Sequence, residues 1–487
     1  MHGRTFGWLA TALVIAAACS TATVAQAQSS MLPSDPGYTI AADMAAMPAL
    51  QPSTNDTYMV SSSNSAAALS QRVNALEAAL AKIKDEKADD GWEDVSNEKF
   101  SVKVGGRIYA DAGWYGDQNA ASAAEYNNLQ DYMEFRRIRL FAEGEGYGVY
   151  DYKFQLDWAP GEDEGSGAVE LKDLYGGIHD LPYLGYGRIG HFKAPFSLEE
   201  LTSSKYITFM ERSLPNVFAP SRKLGVAAYN HTEDEKITWG YGAFYYSGIA
   251  SEHERIDDRQ GVHLVARGTW APIYTADGRG VLHFGAGVDF ADLPEETIRF
   301  RSRPEIHETA DQNGTSQYFL STNTIDARDY VVYDLEMAMV YGPFSVQSEL
   351  MYTNVDGING QADQDYYGAY VFASYFLTGE NRVYKRSSAT FGRVKPFTNF
   401  FCVRTCDGAI QSGWGAWELA ARYSFLDFTD DNNGRAGLLN DLTLGVNWYW
   451  NPHMRMMFNY IHAWSDIPNQ ADTCETDILA ARWQVDF

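Results

Sequence analysis

From about residue 100 to its end the chain repeats with a period of two, and it contains no uncharged apolar run near the roughly 20 residues that a membrane-spanning helix needs. Val102, Val104, Ile108, Ala110 and Ala112 alternate with Ser101, Lys103, Arg107, Tyr109 and Asp111. Tyr150, Tyr152, Phe154, Leu156 and Trp158 alternate with Asp151, Lys153, Gln155 and Asp157. Side chains on a strand point alternately to its two faces, so each such segment has one apolar and one polar face. Segments of this kind begin near residues 100, 132, 149, 168, 186, 222, 236, 260, 279, 327, 344, 366, 414, 439, 453 and 475.

About sixteen strands joined by short turns alternating with long polar connections predict an all-β fold, a transmembrane antiparallel β-barrel. Strands can cross a membrane only if the cylinder closes, because an open edge leaves backbone groups without partners in lipid. The last strand fits closure: Leu479, Ala481, Trp483, Val485 and Phe487 share one face, and Arg482, Gln484 and Asp486 the other. A terminal Phe487 on such a strand is the pattern that barrel-assembly machinery recognises. Composition agrees, with 14% aromatic residues, 42 Gly and 31 Tyr at a mean hydropathy of −0.33.

The preceding residues read differently. Arg4, the apolar stretch 6–18 and the small-residue site Ala25-Gln26-Ala27 predict a signal peptide over 1–27 and export. Residues 28–64 predict a flexible leader. Leu69, Val73, Leu76, Leu80 and Ile83 step by four and three, which suits a short periplasmic coiled-coil helix over 65–90 or a lone amphipathic helix lying on a surface. The barrel is expected over 98–487. Cys402 and Cys406 suit a small disulfide in an exported protein; a metal site there lacks a nearby histidine, and Cys474 is left over.

The formal charge is −26, which argues against nucleic acid as a partner, since phosphate backbones demand a clustered basic face. Against that acidic background, Met133 to Glu143 sets three arginines among strand-forming residues. Such arginines either pair with Glu134, Glu143 or Asp173 and brace the wall, or line a passage for anions. Arg136 and Arg137 are adjacent, so a regular strand cannot turn both inward, and a bulge or a bent side chain is required. The segment 190–214 breaks the alternation at Pro195 and suits a partly helical loop that narrows the lumen.

Val104-Gly105-Gly106-Arg107, Phe135-Arg136-Arg137, the segment 193–213, Leu377-Thr378-Gly379-Glu380, Gly415-Ala416-Trp417-Glu418 and Leu444-Gly445-Val446-Asn447-Trp448-Tyr449 resemble the phosphate-selective porin O and P family of Gram-negative outer membranes. The resemblance implies a sixteen-stranded porin, assembled as a homotrimer among outer-membrane lipid and lipopolysaccharide, that passes phosphate or polyphosphate through an Arg/Lys-lined constriction. Matched residue by residue, it implies binding roles for Arg107, Arg136, Arg137, Lys153 and Arg212, with Arg139 and Lys193 standing where members carry tyrosines. Glu200 stands where they carry a lysine in the inward loop. It implies no cofactor, no metal and no catalysis, and the chain has no Gly-x-Ser-x-Gly, no His-Glu-x-x-His and no phosphate-cradling Gly-rich loop. Three other readings stay open: a general or sugar-selective porin with aromatic stacking in the lumen, a structural tether from outer membrane to cell wall through the helix, and, third, an outer-membrane hydrolase with Ser, His and an acid converging on one wall.

Overall fold

The computed structural model describes residues 100–159, 169–246, 261–404, 410–431, 435–468 and 470–487. The expected signal peptide, leader and coiled coil lie outside these residues, as does Cys406 of the expected disulfide. Sixteen long strands run in order among the described residues: β1 (Lys103–Gln118), β2 (Tyr132–Gly146), β3 (Tyr150–Asp157), β4 (Glu170–Leu181), β5 (Gly185–Lys193), β6 (Arg222–His231), β7 (Ile237–Tyr245) and β8 (Val262–Tyr274). They continue as β9 (Gly280–Asp292), β10 (Ile325–Tyr341), β11 (Phe344–Gly357), β12 (Gln364–Phe376), β13 (Ala416–Asp427), β14 (Leu438–Asn451), β15 (Met454–Asp466) and β16 (Cys474–Asp486).

Every strand pairs antiparallel with its sequence neighbours, and β1 pairs with β16 as well as β2, so the sheet closes on itself. At the seam Gly106 N–H donates to the Phe487 carbonyl at 2.9 Å and Phe487 N–H to the Gly106 carbonyl at 3.1 Å. Gly106 must lack a side chain there, because a Cβ would lie 2.7 Å from the Phe487 ring. Closure supplies partners for both edges, which is what a wall in lipid requires.

The alternation sorts as expected. Leu479, Ile189 and Leu335 stand 51%, 65% and 59% exposed on the outer face. Their neighbours Arg482, Asp334 and Glu336 are buried on the inner one. An apolar band outside and a polar lining inside is the arrangement that bilayer and water together select. Connections are long at one end of the barrel and short at the other, with one exception, residues 377–415 between β12 and β13 at the short-turn end.

Candidate functional site

The inward loop, residues 194–221, begins where β5 is bent at Gly190, whose φ of +133° suits only glycine and where a Cβ would lie 2.2 Å from the Leu174 carbonyl. Ser197 Oγ accepts from Glu200 N–H at 3.1 Å and caps a single helical turn, Leu198–Leu201. Glu349 of β11 fixes that turn to the wall, accepting from Ser197 Oγ at 2.6 Å, Leu198 N–H at 3.1 Å and Glu199 N–H at 2.8 Å. The loop then reaches the opposite wall. Arg107 of β1 donates to Ser204 Oγ at 2.8 Å, Asn447 of β14 to the Thr208 carbonyl at 2.8 Å, and Arg455 of β15 to the Ile207 carbonyl at 2.9 Å. A loop anchored on β1, β11, β14 and β15 spans the lumen.

Residues 384–393 of the connection between β12 and β13 also turn inward. Tyr384, Ala389 and Phe391 pack with Leu198 of the loop, and Phe391 N–H donates to Thr202 Oγ1 at 3.3 Å. Arg393 of the same segment pairs with Asp486 of β16.

The structure brings most of the expected basic residues to this loop. The register of β1 against β2 shifts between Tyr109 and Ala110, which face Arg137 and Phe135 and leave Arg136 as the extra residue of a bulge. Both arginines therefore point to Glu211. Arg136 Nε lies 3.0 Å from Glu211 Oε1, Arg137 Nη2 lies 3.7 Å from Oε2, and Arg482 of β16 lies 2.6 Å from Oε1. Lys193 and Arg212 meet at Glu200, at 2.9 and 3.2 Å. Arg139 is tied to Asp157 at 2.6 Å and Lys153 to Glu143 at 2.9 Å, both along the wall. Bracing thus accounts for Arg139 and Lys153. Asp173 braces too, with Arg222 at 2.7 Å, whereas Glu134 pairs with His307 at 3.0 Å rather than with an arginine.

Two of the seven keep donors in hand. Arg107 Nε, Arg137 Nε and Arg137 Nη1 are buried without a hydrogen-bond partner, as is the hydroxyl of Tyr109, which faces Arg137 across β1 and β2. Buried guanidinium N–H groups are costly to leave unpaired, and these three stand where the inward loop meets the β1–β2 wall.

Loop carboxylates and amines feel this field. Burial opposes ionisation of Glu200, but Arg212 and Lys193 outweigh it and hold the carboxyl at about 2. Burial likewise opposes the Glu211 charge, and Arg136, Arg137 and Arg482 hold it well below the usual carboxylate range. For Lys205 the charged form is the one disfavoured: burial first, then Arg107, lowers it to about 8, with Asp486 offsetting only part.

Sequence reasoning missed a second basic set, on the connection 293–324. Arg299, Arg301 and Arg303 sit at alternate positions, and Arg301 and Arg303 lie over the Tyr318 ring at 4.3 and 4.7 Å. Among the described residues none of the three has a carboxylate within ion-pair distance. Arg299 joins Tyr318, Ser316 and Arg435 around a recess of about 410 Å³ at the long-loop end. The same connection continues to His307, beside Glu134. The spacing Arg-x-Arg-x-Arg was the available signal, but it stands in a connection and not in a strand.

Residues 102–487 match the family described as phosphate-selective porin O and P. Porin O of Pseudomonas aeruginosa is 28% identical over 426 residues, covering 80% of this chain and 90% of that protein. An uncharacterized protein of Caulobacter vibrioides is 28% identical over 401 residues, covering 80% of this chain and 74% of that one. Among solved structures, an anion-selective porin from Comamonas acidovorans has a TM-score of 0.44 at 12% identity, covering 80% of this chain and all of that one. The family match takes in the whole closed barrel with its inward loop, and the chain belongs to the phosphate-selective porin O and P family of Gram-negative outer-membrane porins.

Proposed function

We propose that the barrel passes small anions, phosphate or polyphosphate among them, through a constriction between the inward loop and the β1–β2 wall. The observation that carries this reading is the set of unpartnered, buried donors on Arg107 and Arg137. A planar guanidinium fork suits phosphate oxygens, and donors already stripped of water replace part of an anion's hydration shell without reorganising. Arg299, Arg301 and Arg303 collect anions at the long-loop mouth, which faces the cell exterior. Arg136, Lys193 and Arg212, each shared with a loop carboxylate, set the local potential, while Arg139 and Lys153 chiefly hold the wall. The net charge of −26 does not oppose this, because salt screens exposed charges beyond about 8 to 10 Å.

In this reading the protein works without cofactor or catalysis, as a homotrimer in lipopolysaccharide-rich membrane, delivered to the assembly machinery through Phe487. The test is the zero-current potential of the reconstituted protein in a potassium chloride gradient, followed by chloride conductance with phosphate added as blocker. Anion preference with phosphate block supports the proposal. Cation preference sinks it, and block by sugars but not phosphate favours the sugar-selective reading. Deleting residues 61–90 decides the tether: unchanged permeability with a detached envelope assigns the helix to cell-wall attachment.

A further inference from the structure

Away from the arginines, on the β10–β11 wall, Asp334, Glu336 and Glu349 bring one carboxylate oxygen each to within 4.8 Å of one another. Glu336 and Glu349 are direct cross-strand partners, an arrangement that normally repels. All three are buried, with Asp334 only 1% exposed. Glu336 is held by Arg267 at 2.7 Å through both oxygens and by His283 at 3.1 Å. Glu349 is occupied by the inward loop and by the Tyr370 hydroxyl at 2.5 Å. Neither oxygen of Asp334 has a hydrogen-bond partner. A buried carboxylate with no donor and no cation is among the costliest groups a protein can keep.

The backbone makes room for these acids. Asp334 faces Gly287 and Glu336 faces Gly285 on β9. A Cβ at Gly285 would lie 2.4 Å from Glu336 Oε2. Three carboxylates against the single guanidinium of Arg267 leave a formal charge of minus two when His283 is neutral; the nearby Glu199 is met by Arg422 at 3.4 Å. We propose that Asp334, Glu336 and Glu349 hold one divalent cation, with Asp334 as the free ligand and Ca²⁺ as the preferred ion. Oxygen-only donors suit a hard cation, and the flexible coordination of Ca²⁺ tolerates oxygens that also accept hydrogen bonds better than octahedral Mg²⁺ does. Because Glu349 also holds the Leu198–Leu201 turn, the ion ties the inward loop to the wall.

The experiment uses the full chain folded in detergent, stripped with chelator and titrated with Ca²⁺ by calorimetry. Expected are one saturable site per barrel, a higher melting temperature with Ca²⁺ than with chelator, and binding weakened at least about tenfold in Asp334→Asn. Heat-modifiable gel mobility reports whether that variant folds. If it does not, anomalous scattering from wild-type crystals soaked in Tb³⁺ decides, and a peak among the three carboxylates supports the site. No saturable binding, binding undiminished in a folded Asp334→Asn, or no anomalous peak there overturns it. So does a wild-type melting temperature indifferent to Ca²⁺, which leaves a proton as the group Asp334 holds.

Discussion

Arg137 keeps two buried nitrogens without a hydrogen-bond partner, and its ion-pair contact with Glu211 is stretched to 3.7 Å. Arg136, one residue away, makes a close two-point contact with the same carboxylate at 3.0 and 3.3 Å. The neighbours should therefore separate by function: Arg137→Ala weakens phosphate block by about 1 to 3 kcal/mol, the scale of one charge-assisted contact. Arg136→Ala instead lowers barrel stability more than it lowers block, and single-channel block with urea unfolding on the same variants measures both. Lys205 gives a pH prediction with a definite sign. Its value of about 8 lies below the ordinary 10.5, so the folded chain holds fewer protons than the unfolded one between those values. Stability then climbs with pH across that window, while the lumen loses a positive charge and anion preference falls. Reversal potentials from pH 6 to 10 should show a step near 8 that is absent in Lys205→Met, and a step of equal size in that variant rules the lysine out. Of this chemistry the sequence showed the inward faces of Arg107 and Lys153 and the need for a bulge at Arg136–Arg137. It did not show which arginines are spent on carboxylates, because the partner of Arg136 lies 75 residues away in the chain and period-two patterning says nothing of such returns.

The inward loop shows why an element without regular structure holds its shape. Its anchors are side chains of strands, and one of them is the buried Arg422 of β13, which meets Glu305 at 2.5 Å, Glu199 at 3.4 Å and the Glu211 carbonyl at 3.2 Å. One guanidinium thus joins the loop 194–221 to the connection 293–324, which carries Glu305. Replacing it with a side chain of similar length but no charge, Arg422→Met, leaves two buried carboxylates uncompensated and should cost about 3 to 5 kcal/mol. The expected result is a lower urea midpoint for the whole barrel together with noisier single-channel current. A variant with wild-type midpoint and quiet current would show that the two connections are held independently. The strands themselves were legible because lipid outside and water inside enforce alternation on every segment. Of the two connections, the broken alternation over 190–214 announced a partly helical loop turned into the lumen, but its anchors and the course of 293–324 were not legible, since each is ordered by partners on strands far along the chain.

At the scale of the whole molecule the wall has one joint that local hairpins cannot make, the pairing of β1 with β16. Each other contact between adjacent strands joins segments consecutive in the chain, whereas this one joins Arg107 to Asp486 and Tyr115 to Ile478. Pairing residues 107 and 486 is the longest loop closure in the fold, so this joint carries the largest closure cost in chain entropy and is expected to be the slow one to form. Phe487 finishes it with two backbone hydrogen bonds to Gly106 and a ring packed over the glycine that leaves it space. Deleting Phe487 removes both bonds and the ring, and Gly106→Leu drives a side chain into the same place. Both changes should slow folding into lipid vesicles and leave a larger heat-unmodified fraction on gels, while Phe487→Trp, which keeps the backbone pairing and the apolar contact, folds nearly as wild type. If the deletion closes as fast and as completely as the full chain, the joint depends on the remaining rungs, Arg107–Asp486 onward, and the terminal residue serves only recognition.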